Sequence, residues 1–336
     1  MKLGLNLKAH QWDDGHLRLA RQLGCESVVA WMPLPPGDGV WHVADLRRIK
    51  TQANAHGLEL AAIENLPPAH WDKILLGEPG RDQQMANVAQ TVRNLGIAGI
   101  PCLGYYFSVV GVWGHRPKEP NGRGGASLKS FDLSNIPTHE PPNNQNIWIN
   151  TTLAHRDSRR TIPRVGEDSM WERLTYFLKN LVPVAEESGV KLAAHPEDPP
   201  VPELRGIHRC LHNVEALRRL VEIAPSPSNC LEFCQGTVSE IPGHDVIKTI
   251  RHFASQRKIA YVHFRNVSAT VPKFEEVFID EGRVDMIAAM KAYHTSGFDG
   301  TIVPDHTPEL SYDCPWEIGM AYALGYMRAC LQAAEK

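Results

Sequence analysis

Residues 182–195 read VPVAEESGVKLAAH. They hold the end of a helical pattern, a glycine, a short apolar run, and a histidine where that run gives out. Glycine closes helices because it enters the left-handed region without a Cβ penalty. An apolar run without alternation is a strand covered on both faces, as parallel sheets are by their helices. Fourteen residues thus describe one αβ unit, with Met170 to Ser188 as the helix and Val190 to His195 as the strand.

The unit recurs in both directions. Towards the C-terminus, helices are expected at Val214 to Ile223, His244 to Phe253 and Asp285 to His294, and strands at Asn229 to Cys234, Ile259 to Phe264 and Gly300 to Val303. Pro315 to Ala334 closes the chain as a helix. Towards the N-terminus, strands are expected at Leu3 to Leu7, Ser27 to Trp31, Leu58 to Glu64 and Ile100 to Phe107. The helices between them fall at His16 to Leu23, Val43 to His56 and Met85 to Leu95, the last ending before Gly96. Eight strands alternating with eight helices favour a closed α/β (β/α)8 TIM barrel over an open doubly wound sheet. No GxGxxG or Walker pattern follows any strand, which weakens a nucleotide reading. One TIM-barrel domain is expected over 1–336. Its rhythm breaks only between 113 and 166, where RPKEPNGRGGASLKS and THEPPNNQNIW lack apolar periodicity. A long inserted loop after strand four is expected there, a lid or an oligomer contact.

Composition narrows the function. The 336 residues carry 35 basic and 38 acidic side chains, a net charge of −3, with no basic block to suit nucleic acid. No apolar run reaches the roughly 18 residues of a membrane span. The seven scattered cysteines read as reduced thiols. With no apolar leader at the start, a cytoplasmic location is expected.

Chemistry in such a barrel gathers at the carboxyl ends of the strands. The last four strands end at His195 (KLAAHPEDPP), Cys234 (CLEFCQGT), His263 (IAYVHFRNV), and Asp305 with His306 (TIVPDHTP). Two imidazoles, a thiolate and a carboxylate suit manganese, iron, cobalt or zinc better than magnesium or calcium. By strand period Glu232 shares a face with Cys234, and Arg265 with His263. An inward Glu232 pairs with a cation or adds an oxygen ligand, unless strand six turns it to a helix. Glu64 ends strand three, where it reaches substrate or a ligating histidine, or else serves as a surface or capping residue. The aromatics closing strand four offer a face for a sugar ring.

Several stretches resemble the mannonate dehydratase family of the xylose-isomerase-like barrels. They are VPVAEESGVKLAAHPEDPP, EFCQGT, VHFRNVSA, GRVDM and VPDH, with GDGVW, HGLELAAIENLPP and VRNLGIAGIPCLGYYF earlier. The resemblance implies a lyase, typically using manganese (Mn2+), that dehydrates D-mannonate to 2-keto-3-deoxygluconate. It places the metal ligands on His195, Cys234, His263 and Asp305 and the acid/base histidine on His306. Glu64, Tyr106, Arg265 and Asn266 are the expected substrate-binding residues. The family's catalytic tyrosine at the start of the last helix is Glu317 here, its arginine before PDH is Val303, and its strand-four asparagine is Tyr106. Glu317 is therefore the second catalytic candidate. The expected partner is a small sugar acid or sugar, with neither nucleic acid nor membrane, and the chain is expected to form a homo-oligomer. Two other classes remain open: a sugar isomerase or epimerase in which Glu317 or Glu64 moves the proton, and a silent sugar-binding relative.

Overall fold

The computed structural model describes residues 1–136, 147–148 and 163–336. Eight strands form a closed barrel: β1 (Lys2–Lys8), β2 (Ser27–Trp31), β3 (Glu59–Glu64), β4 (Cys102–Tyr105), β5 (Lys191–Ala194), β6 (Asn229–Cys234), β7 (Ile259–His263) and β8 (Thr301–Val303). Each pairs in parallel with its sequence neighbours, and β8 closes on β1 with Thr301 opposite Lys2. The principal outer helices are α1 (Asp14–Gln22), α2 (Val43–Ala55), α3 (Arg81–Ala98), α4 (Glu167–Glu187), α5 (Val214–Ile223), α6 (Val246–Ser255), α7 (Met286–Thr295) and α8 (Pro315–Ala334).

Local chemistry starts several of these helices. Asp13, Asn213, Asp245 and Asp285 each accept a hydrogen bond from the backbone N–H three residues on, filling donors that a helix start leaves open. Inside the barrel, Val29, Ala62, Cys102, Ala193, Tyr261 and Val303 form a plug from six strands. The small members make room for the Tyr261 ring, and Gly104 is part of that fit. A Cβ on Gly104 would fall 2.1 Å from the Tyr261 hydroxyl and 2.8 Å from Glu232 Oε2.

Two expectations are corrected. Helix α3 does not stop before Gly96 but runs through it to Ala98 and ends at Gly99, where φ is +71°. Gly96 serves packing instead: a Cβ there would meet the Ser188 carbonyl oxygen at 2.4 Å, so its absence lets α3 approach the end of α4. The stretch 113–166 is also not structureless over its described part. Lys129–Asp132 pairs antiparallel with Lys273–Glu276 and with Gly114–His115, which in turn pairs with Ile147–Trp148. The rest of that stretch, residues 137–146 and 149–162, lies outside the described residues.

Candidate metal centre and active site

Register brings the candidate ligands together. Cys234 lies opposite His263 at the ends of β6 and β7, and His195 follows the last residue of β5. One donor atom each from His195, Cys234 and His263 lies within 4.8 Å of the other two. His195 Nδ1 sits 2.6 Å from the Pro196 carbonyl oxygen. That bond requires Nδ1–H, which leaves the Nε2 lone pair for a metal. His263 has the opposite arrangement. Its Nε2 faces Glu64 Oε2 at 3.3 Å and Glu232 Oε1 at 3.2 Å. Its Nδ1 is buried with no hydrogen-bond partner among the described residues and lies 3.6 Å from Asp305 Oδ1. Asp305, at φ +68°, approaches the set from the His263 side.

Electrostatics prepare the thiol. Burial alone would push Cys234 up, but the Arg265 guanidinium and the rings of His195 and His263 hold it well below the usual thiol range. A thiolate is the form that binds metal. Burial and the neighbouring Glu64 push Glu232 up to about 8, so a proton on this pair relieves the repulsion of two adjacent carboxylates. An orphaned imidazole nitrogen, a second imidazole lone pair, a poised thiolate and a carboxylate suit a divalent transition ion.

Arg265, two residues beyond the end of β7, holds this arrangement in place. Its Nη2 reaches Asp198 Oδ2 at 2.7 Å, Glu240 Oε1 at 3.3 Å and Cys234 Sγ at 3.5 Å. Its Nη1 bonds Glu276, and its Nε lies 3.4 Å from Asp305 Oδ2. With 2% of its surface exposed and every nitrogen facing a protein anion, Arg265 braces the ligands and has no nitrogen turned to a substrate. The expected substrate contact is not what the geometry offers.

Other candidates sort by what they touch. Glu64 accepts a bond from Asn6 Nδ2 at 2.7 Å and lines the cavity over the ligands. Tyr106 lines the cavity with its ring, edge-on to His195 at 5.4 Å. Its hydroxyl points elsewhere, donating to Glu197 at 2.9 Å and accepting from Arg209 at 2.8 Å. Asn266 is outside the site. Its amide donates to the Val284 carbonyl and accepts from the Val267 and Val284 N–H groups, tying the loop after β7 to the approach to α7. His306 is at the cavity wall, with Nδ1 2.9 Å from Glu276 Oε2 and Nε2 3.1 Å from Asp305 Oδ1. Glu317 is paired on another side of the barrel end, with α1. Its carboxylate is about a third exposed, and its nearest ionic partner is His16 Nε2 at 3.7 Å. Opening α8 near its N-terminus accounts for a carboxylate there without a catalytic duty.

Sequence reasoning passed over Glu276, Lys129 and Asp198. Glu276 and Lys129 sit opposite each other in the added sheet, and Lys129 lines the cavity. Burial pushes the Lys129 ammonium down to about 7, against the pull of Glu276 and Asp305. No local pattern marks either residue, because their pairing joins segments far apart in the chain. Asp198 stood inside the quoted HPEDPP, and only the folded position of Arg265 shows its use.

The family model for D-mannonate dehydratase matches residues 1–336. The chain belongs to the mannonate dehydratase family. It is 33% identical over 278 residues to mannonate dehydratase 2 of Halalkalibacterium halodurans, covering 80% of this chain and 79% of that one. It is 30% identical over 323 residues to mannonate dehydratase of Geobacillus thermodenitrificans, covering 91% and 86%. The crystal structure of mannonate dehydratase from Streptococcus suis serotype 2 superposes with a TM-score of 0.84 at 26% identity, over 99% of this chain and 93% of that one. D-psicose 3-epimerase from Clostridium cellulolyticum H10 gives a TM-score of 0.63 at 13% identity, a likeness of fold alone. Mannonate dehydratases are hydro-lyases, and the family implies a divalent metal and a sugar-acid substrate. Among the described residues no helix is long and apolar enough to cross a membrane.

Proposed function

We propose that this mannonate dehydratase relative removes water from D-mannonate to give 2-keto-3-deoxy-D-gluconate, with manganese held by His195, Cys234, His263 and Asp305. One observation carries the ligand assignment: three strand ends converge on one point, and the His263 nitrogen facing it has no hydrogen-bond partner among the described residues. When bound, a divalent ion supplies a Lewis acid that holds substrate oxygens and stabilises negative charge. The remaining chemistry belongs to side chains. The C2–H bond breaks, its electrons form the C2–C3 double bond, and the C3 hydroxyl leaves with a proton as water. The resulting enol becomes the 2-keto acid by proton transfer.

His306 is the proton carrier in this reading. Glu276 is held at about 2 against its burial, by Arg265, His306 and Lys129, and so stays an acceptor for the His306 Nδ1–H. That bond fixes the ring, and Nε2, 3.1 Å from Asp305 Oδ1, is the nitrogen that exchanges the proton in this reading. Glu64 and Glu232 orient His263 through Nε2, as carboxylates behind metal-bound histidines do. Tyr106 supports His195 and gives the substrate an apolar wall.

The described part of 113–166 is proposed as a cover over the site. Val112, just before it, and Lys129, within it, both line cavities beside His306, which supports that role. A cytoplasmic setting is supported by seven free cysteines, and a homo-oligomer by the exposed apolar side chains Ile318 and Tyr322 on α8. The reaction is tested by incubating purified protein with Mn(II) and D-mannonate and identifying the product. A 2-keto-3-deoxy acid, formed only with metal, supports the reading. A panel of hexonates and pentonates with no dehydrated product overturns it.

A further inference from the structure

We infer that Lys129, carried by the added sheet and not by the barrel, receives the carboxylate of the sugar-acid substrate. The inference rests on the sugar-acid reading above and names the residue that recognises the acid.

A charge inventory of the cavity leads to it. Glu64, Asp305 and Asp198 line the cavity, and Glu276 stands behind His306. An anionic substrate entering this acidic surround needs a cation near its carboxylate. Arg265 is buried with every nitrogen turned to protein anions. Lys8 stands at the exposed end of β1. His306 is held between Glu276 and Asp305. Among the described residues Lys129 is the lysine that both lines the cavity and is withdrawn from solvent, at 8% exposure.

Its placement is built by the sheet. Lys129 pairs with Glu276 across the antiparallel ladder, and this register carries the side chain over the barrel mouth. Its Nζ pairs with Glu276 Oε2 at 4.0 Å. Glu276 also serves Arg265 and His306. An ammonium has three donors, so Lys129 can donate to the substrate carboxylate while it keeps its pairing within the protein. Sharing Glu276 also fixes orientation. In an aldonate, C2 is bonded directly to the carboxyl carbon. Anchoring that carboxylate at Lys129 turns C2, which must lose its proton, towards His306.

The test uses Mn(II)-loaded wild type, Lys129→Met, Lys129→Gln and Lys129→Arg. Binding of D-mannonate and of the uncharged D-mannitol is measured by calorimetry, beside kcat, KM and metal content. Losing a charged hydrogen bond predicts that Lys129→Met and Lys129→Gln weaken D-mannonate binding and raise KM about tenfold or more, and that kcat falls as the C2 orientation is lost. Metal content and D-mannitol affinity should stay at the wild-type level, and Lys129→Arg should recover most of the D-mannonate affinity. D-mannonate affinity within twofold of wild type in a folded, metal-loaded Lys129→Met or Lys129→Gln overturns the assignment. Equal loss for D-mannonate and D-mannitol does so too, since it marks a packing role. If wild type dehydrates nothing, the functional reading fails separately. The acid-over-alditol preference of wild type, and its loss on substitution, then still decides Lys129.

Discussion

His263 shows how much one side chain's orientation decides. Nε2 is turned to Glu64 and Glu232, and Nδ1 has no hydrogen-bond partner among the described residues, so the ring offers Nδ1 as a ligand atom. Replacing His263 or His195 with Ala should strip the divalent metal and abolish turnover while far-ultraviolet dichroism stays at the wild-type level. Elemental analysis checks this, and full occupancy in either variant would rule out the assignment. His306 predicts a different pattern. It touches Asp305 and Glu276 and is not among the assigned ligands, so His306→Asn should keep metal and lose about 10²-fold or more in kcat. Single-turnover rates together with metal content separate the two outcomes.

At the scale of elements, the sequence was readable where the signal is local. Periodicity and punctuating glycines mark β2, β6, α5 and α8 to the residue, because burial on both faces of a strand and on one face of a helix is written into consecutive positions. The four ligand candidates were legible for the same reason, each standing where an apolar run ends. Gly96 misled because glycine has two uses, as a helix terminator and as a site of close approach. Only the position of Ser188 tells them apart. Gly96→Ala should therefore lower stability by about 1–3 kcal/mol despite alanine's better helix propensity, since its methyl meets backbone and not a yielding side chain. Chemical denaturation gives the sign directly, and a stabilised variant would mean that α3 and α4 part without cost. The added sheet was not legible because its strands are short and pair across long sequence separations. Glu276 and Lys129 were missed with it. Glu317 and Asn266 were assigned from the resemblance, and the partners their side chains take, His16 for one and the Val267 and Val284 backbone for the other, exist only in the fold.

The whole molecule joins a barrel that carries the candidate ligands with an added sheet whose Lys129 lines the cavity beside them. The barrel brings together residues that could hold a metal ion, and the mannonate dehydratase family implies a divalent metal and a dehydration. His306, held by Glu276 from the sheet and beside Asp305 from the barrel, is where the two parts meet. The central claim is that this junction carries out a metal-dependent dehydration. The most direct measurement is mass spectrometry of D-mannonate after incubation with the Mn(II)-loaded protein, with a metal-stripped control. The account predicts a product lighter by one water, bearing a 2-keto group and absent from the control. A product of unchanged mass, the mark of an isomerase or epimerase, would contradict it, as would dehydration that proceeds equally without metal.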